Sequence, residues 1–182
     1  MRFPTLAIAL TGALFLTGCT KLVSLNPSVT DKEATMDPAL LGVWHDPDGD
    51  DTCIVKQAGN AYTITYVDKS STHRFEGRLW LAGDAKLLDL VASDSKGDSS
   101  NESPLKIPVH ATMRVWSEGD TLRLAFLDSD WLREQALQRL PVQIVGDRTV
   151  ITAPSVVVRT FLVKYGTDPK AHGDPEVLRK GQ

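Results

Sequence analysis

Cysteine is nearly absent from this chain. Its 182 residues hold two, Cys19 and Cys53, and neither has a second Cys or His at ligand spacing, so a disulfide framework and a Cys-rich zinc site are excluded. Cys53, inside the strand-like run 52–56, reads as a buried, inert thiol. Long hydrophobic runs are missing too: residues 6–16 (LAIALTGALFL) make an apolar run of 11, against the ~20 that a membrane-spanning helix needs. Neither sign of charge dominates. Twenty basic and 23 acidic residues give a formal net charge of −3, which argues against nucleic acid as a partner. H-E-x-x-H, G-x-S-x-G, the P-loop pattern and G-x-G-x-x-G do not occur, so no common hydrolytic, phosphate-binding or dinucleotide chemistry is signalled. His45, His73, His110 and His172 include no i, i+4 pair on a helix. No catalytic residue, metal or cofactor is therefore assigned. Apolar content of 42% and charged content of 24% fit an ordinary globular domain and exclude a polytopic membrane protein, a disordered chain and a coiled coil.

Compartment is written at the N-terminus. Arg2 supplies a positive start, the apolar run follows, and the small residue Gly18 precedes Cys19; this is the layout of a secretory signal peptide over 1–18. Leu16-Thr17-Gly18-Cys19 resembles the lipobox of bacterial lipoproteins. That resemblance implies alkylation of the Cys19 thiol by diacylglycerol, cleavage before Cys19 and acylation of the freed amine. Each buried methylene adds about 0.8 kcal/mol, so more than one chain gives stable anchoring. Thr20 stands where an Asp would resemble an inner-membrane retention signal, which favours the outer membrane, facing the periplasm. Residues 19–36 mix polar positions with Asn26-Pro27 and Thr30-Asp31 and are expected to form a flexible tether.

Beyond the tether the pattern is mainly β. Asp37-Pro38 starts a short helical turn. Strands are expected from Val43-Trp44 and over 52–56, 61–67, 74–81, 86–91, 109–116 and 121–127. Alternation puts Tyr62, Ile64 and Tyr66 on one face and Val109, Ala111, Met113 and Val115 on another. Short turns between them select antiparallel pairing. Residues 92–104 (ASDSKGDSSNESP) form a long polar loop, a length that is either mobile or functional. Ser129 or Asp130 caps a helix near 130–139, with Trp131, Leu132 and Leu137 toward the sheet. Strands at 142–145 and 149–152 follow. For 154–165, Val156-Val157-Val158 favours a strand by propensity, whereas Pro154 and Gly166 punctuate a helix; a C-terminal helix is the expectation. The tail 167–182 is expected to fray. Domain 37–166 suits one core, hiding roughly 70% of its unfolded surface. About eight strands at short spacing argue for an antiparallel meander in a closed or half-open barrel.

The short helical turn, Gly42-Val43-Trp44 at the first strand and the meander resemble the lipocalin-like (calycin) pattern over 40–152. This implies that Trp44 closes one barrel end against a basic residue near the last strand, Arg148 being the nearest candidate in sequence order. Ile107 to His110 and Asp128 to Leu132 also resemble stretches shared by lipoproteins without an assigned activity.

Asp46, Asp48, Asp50 and Asp51 offer oxygen ligands, but the EF-hand positions for Gly and Glu hold Asp51 and Gln57, so a solvated turn is expected. His110, Tyr62, Tyr66 and Trp116 are candidates for a ligand cavity or its rim. The expected function is that of a lipid-anchored envelope protein, held to the membrane by N-terminal acyl chains and binding a small apolar ligand in its barrel. The alternative is a structural or assembly accessory that contacts an envelope protein.

Overall fold

A computed structural model describes residues 21–93 and 107–181. Cys19, the signal segment and most of the 92–104 loop lie outside these residues. Eleven strands form one continuous sheet: β1 (Leu22–Ser24), β2 (Gly42–His45), β3 (Thr52–Ala58), β4 (Ala61–Val67), β5 (Thr72–Ala82), β6 (Ala85–Ala92), β7 (His110–Glu118), β8 (Thr121–Phe126), β9 (Val142–Val145), β10 (Arg148–Ile151) and β11 (Glu176–Lys180). β2 to β8 form an antiparallel meander; β11 pairs antiparallel with both β8 and β2, and β6 pairs with β7, so eight strands close into a barrel. This is compatible with the lipocalin-like expectation. The hairpins turn where the sequence supplies positive φ: Gly59, Gly83 and Gly119 sit near +60°, as tight antiparallel turns require.

The interior is built from alternate residues. Tyr62, Ile64 and Tyr66 of β4, Leu88 and Leu90 of β6, Met113 and Val115 of β7, and Leu122 and Leu124 of β8 form one core with Trp44 and Leu178. Gly77 belongs to this inner wall. A Cβ there would lie 2.9 Å from Ile64 Cδ1 and 3.2 Å from both Leu88 Cδ1 and Leu90 Cδ2, so the missing side chain is what lets its neighbours fill the centre.

A second layer covers one outer wall. Helix α1 (Asp130–Arg139), capped by Ser129 Oγ, and helix α2 (Ser155–Phe161), which widens into a π turn over Leu162–Gly166, pack with the β1–β10–β9 extension around Trp80, Leu87, Leu132 and Phe161. Helix wins over strand propensity at 155–161 because Pro154 and the apolar i, i+3 pair Val158 and Phe161 suit a helix resting on that core. Within α1 the buried pair is Leu132 and Ala136. Leu137, expected to face the sheet, is exposed, because a residue next to Ala136 points about 100° away around the helix.

Two further expectations need correction. Within the expected tether 19–36 the described residues are not free: β1 runs parallel to β10, and Leu22, Val23, Ser28 and Val29 are buried. A three-residue strand is too short to show a period, so the sequence pattern concealed it. The tail does not fray as a whole either. Its β11 completes the barrel, with Leu178 fully buried.

Candidate functional site

One end of the barrel is sealed. The 3₁₀ turn Pro38–Leu40 lies across it, begun by Asp37, whose carboxylate accepts from Ala39 N at 2.9 Å. Trp44 is completely buried and its Nε1 donates to Leu40 O at 2.9 Å. Lys180 of β11, opposite Trp44 in register, places Nζ 5.3 Å from the indole centroid, a cation–π distance. Gly42 has φ +138°, and a Cβ there would come within 3.3 Å of Lys180 Cε; the G-x-W glycine makes room for the lysine stem. The basic residue on Trp44 is thus Lys180, not Arg148, which opens β10 in the outer extension opposite Val145. Arg148 came nearest in sequence order only while β11 was read as frayed. Tyr62 is fully buried, and its hydroxyl accepts from Asp37 N at 2.7 Å and donates to Asp37 O at 3.2 Å. It fastens the plug. Lys86 adds a 2.5 Å ion pair to Asp37.

Inside lies a cavity of about 50 Å³, lined by apolar side chains from Leu40, Cys53, Val55 and Phe75 to Met113 and Phe126, together with Tyr62, Tyr66 and Glu176. Tyr66 hydroxyl donates to Asp51 Oδ2 at 2.6 Å and lies 3.3 Å from Glu176 Oε1. Glu176 Oε2 is buried with no hydrogen-bond partner. Burial pushes the Glu176 carboxyl up to about 7; Asp51 and Asp46 push the same way, and the Tyr66 hydrogen bond works against them. This carboxyl therefore titrates near neutral pH, while the accessible wall of the cavity beside it is apolar. Burial also raises the Tyr66 hydroxyl, and pushes the Cys53 thiol up to about 12, which leaves that thiol unreactive at ordinary pH.

His110 stands outside the barrel wall, between barrel and outer layer. Its Nδ1 is 2.6 Å from Asp89 Oδ1, and Asp89 Oδ2 accepts from both the backbone N and Oγ of Ser28 at 2.6 Å. Asp89 is 4% exposed. Ser, Asp and His are together, but the serine bonds to the carboxylate. A nucleophile relay needs it on the second imidazole nitrogen. The triad works as a clamp that ties the segment after β1 to β6 and β7. Trp116 lies on the outer wall, half-buried, with the Arg114 and Arg123 guanidinium carbons 5.0 and 5.5 Å from its ring and His172 edge-on at 5.3 Å. Only Tyr62 and Tyr66 of the four expected cavity or rim residues line the interior. The Asp46–Asp51 turn closes on itself through Asp46 N to Asp51 O at 3.0 Å and Asp48 N to Asp46 Oδ1 at 2.9 Å. Among the described residues no acidic, His or Cys group has the arrangement of a metal site.

Glu176, Asp89, Ser28 and Lys180 escaped the sequence reading. One signal for Asp89 was present: β6 (AKLLDLVA) buries Leu87, Leu88, Asp89 and Leu90 in succession. A strand apolar on both faces implies cover on both, and a lone acid inside it implies a partner. Compared with family models, curated proteins and solved structures, the chain finds no match.

Proposed function

We propose that the chain is a lipid-anchored lipoprotein of the cell envelope, held by acyl chains on Cys19 in the outer membrane and facing the periplasm, where it serves as a structural or assembly accessory. The observation that carries the accessory role is the size of the interior. Ligand pockets usually measure about 300–1,000 Å³, and an engineered cavity of about 150 Å³ is what benzene fills. The cavity here is about 50 Å³. Side chains occupy the space an acyl chain would need, so contact with an envelope protein falls to the outer surface. The anchor rests on the lipobox likeness of residues 16–19. Cys19→Ser should abolish palmitate incorporation and move the protein out of the membrane fraction; unchanged labelling and fractionation would defeat the anchor. Photo-crosslinking in cells from Ser99, in the polar stretch 92–104 of the sequence, should trap one reproducible protein, and a smear of unrelated products would count against the accessory role.

A second reading, a small ligand in the barrel, draws on the unpartnered Glu176 Oε2. The cavity suits only a few heavy atoms, and its accessible wall is apolar. Native mass spectrometry of the purified protein would show a small adduct lost on Glu176→Ala; a bare mass at every pH removes this reading.

A further inference from the structure

We infer that the β9–β10 hairpin tip is a membrane-contact element that sits on the bilayer holding the anchor, with Ile144 and Val145 entering the interface. The inference rests on the lipid anchor at Cys19 proposed above. Lys21 is fixed by its carbonyl, which accepts from Thr149 N at 2.7 Å. Only Thr20 separates it from Cys19. Two residues of extended chain reach about 7 Å. An acylated Cys19 therefore holds the surface around Lys21 within the thickness of a headgroup layer.

What occupies that surface follows from register. β1 enters parallel to β10, with Leu22 opposite Thr149; Thr149 in turn faces Ile144, and Arg148 faces Val145. Ile144 is thus two strands from Leu22, about 10 Å. The hairpin turn at Gly146 and the point where the chain enters the fold lie at the same end of these strands. Ile144 is 58% and Val145 62% exposed. Adjacent residues of a strand point to opposite faces, so the tip is aliphatic on both sides, a shape that suits insertion and wastes two aliphatic side chains in water. β9 is also the free edge of the extension. The charged groups around the entry point are Lys21, Arg133 and Arg148 against Asp128, Asp130 and Asp147, with Lys21 and Arg133 both reaching Asp130, at 4.0 and 3.1 Å. This near-balance assigns the contact to the acyl region and not to anionic headgroups.

The test uses the full chain, processed in a bacterial envelope, with its acylation verified by intact mass. It is then placed in phosphatidylcholine vesicles carrying brominated acyl chains. Val145→Cys is labelled with an environment-sensitive fluorophore; the buried, high-pKa Cys53 thiol stays silent. Lys56→Cys is the control, on β3, four strands from β7 in either direction around the barrel and so on the far wall. The expected result is blue-shifted emission and loss of intensity to the brominated lipid at position 145 and not at 56, unchanged when anionic lipid or salt is added. Ile144→Asp in the Val145→Cys background should restore the emission while circular dichroism stays constant. Equal emission at both positions overturns the inference. So does shielding at 145 that brominated lipid does not quench and that grows with protein density, which would mean a second copy pairing along β9. A mass without acyl chains overturns the anchor itself, and the inference with it.

Discussion

Glu176 sets two forces against each other. Its place on β11, in register with Leu124, turns its carboxyl inward, where desolvation favours the neutral acid; Tyr66 supplies a hydrogen bond that favours the anion. Desolvation wins, and the group titrates at about 7 instead of 4.5. The folded protein therefore keeps a proton, between these two pH values, that the unfolded chain has already released. By linkage, stability falls as pH rises through this window and levels off above it, a loss on the order of 3 kcal/mol at most, which solvent screening reduces. Glu176→Gln keeps the neutral shape and removes the titration. We expect the variant to match the parent near pH 4, to exceed it in denaturant midpoint at pH 8, and to lose the downward slope between. Urea unfolding at a series of pH values measures this, and a parent protein whose stability rises from pH 5 to 8 would refute it.

Among the elements, β11 carries the greatest consequence for its length. Its five residues close the ring by pairing with β8 on one side and β2 on the other, and they bury Leu178 completely. Leu178→Ala should cost about 2–5 kcal/mol, since the surrounding strands cannot collapse into the space. A chain ending at Gly173 should leave two sheet edges open and aggregate; soluble, monomeric protein with native circular dichroism from that truncation would show that closure is dispensable. The same strand explains where the sequence was opaque. The strands from β3 to β8 were legible because each runs over six or more residues, most of them alternating, with Gly turns in the hairpins at 59, 83 and 119. EVLRK has a single buried aliphatic, Leu178, beside an exposed Val177 and among three charged residues, so alternation had nothing to repeat. Likewise LVS at β1 is too short for alternation to repeat, and its burial comes from β10, more than a hundred residues away. Trp44 was found by its motif and Tyr62 and Tyr66 by alternation. Glu176, Lys180 and the Asp89 clamp were hidden because their meaning depends on pairings made across the closed ring.

The whole molecule is a barrel with a second core strapped to one wall, and the strap is also where the chain enters. Arg159 illustrates how the two are joined. It donates to Ser28 O at 3.1 Å, pairs with Glu33 and lies 5.5 Å from the centre of Trp80, so α2, the segment after β1 and the barrel wall move as one unit. An anchor two residues upstream of Lys21 would then fix the orientation of the entire body and not merely its distance from the bilayer. Inserting ten Gly/Ser residues between Thr20 and Lys21 separates these effects. The spacer lies before Lys21 and leaves the described contacts of the fold in place, so the thermal midpoint should not change. Its root-mean-square span of about 17–19 Å exceeds the thickness of a headgroup layer, and the effective concentration of the hairpin at the surface falls accordingly. Two exposed aliphatic side chains contribute about 3–6 kcal/mol if fully buried, too little to hold a domain down without the short anchor. Lipid quenching at a labelled Val145→Cys should therefore drop with the spacer while membrane fractionation persists. Undiminished quenching would mean that the hairpin binds the bilayer by its own affinity and that the short anchor does not orient the domain.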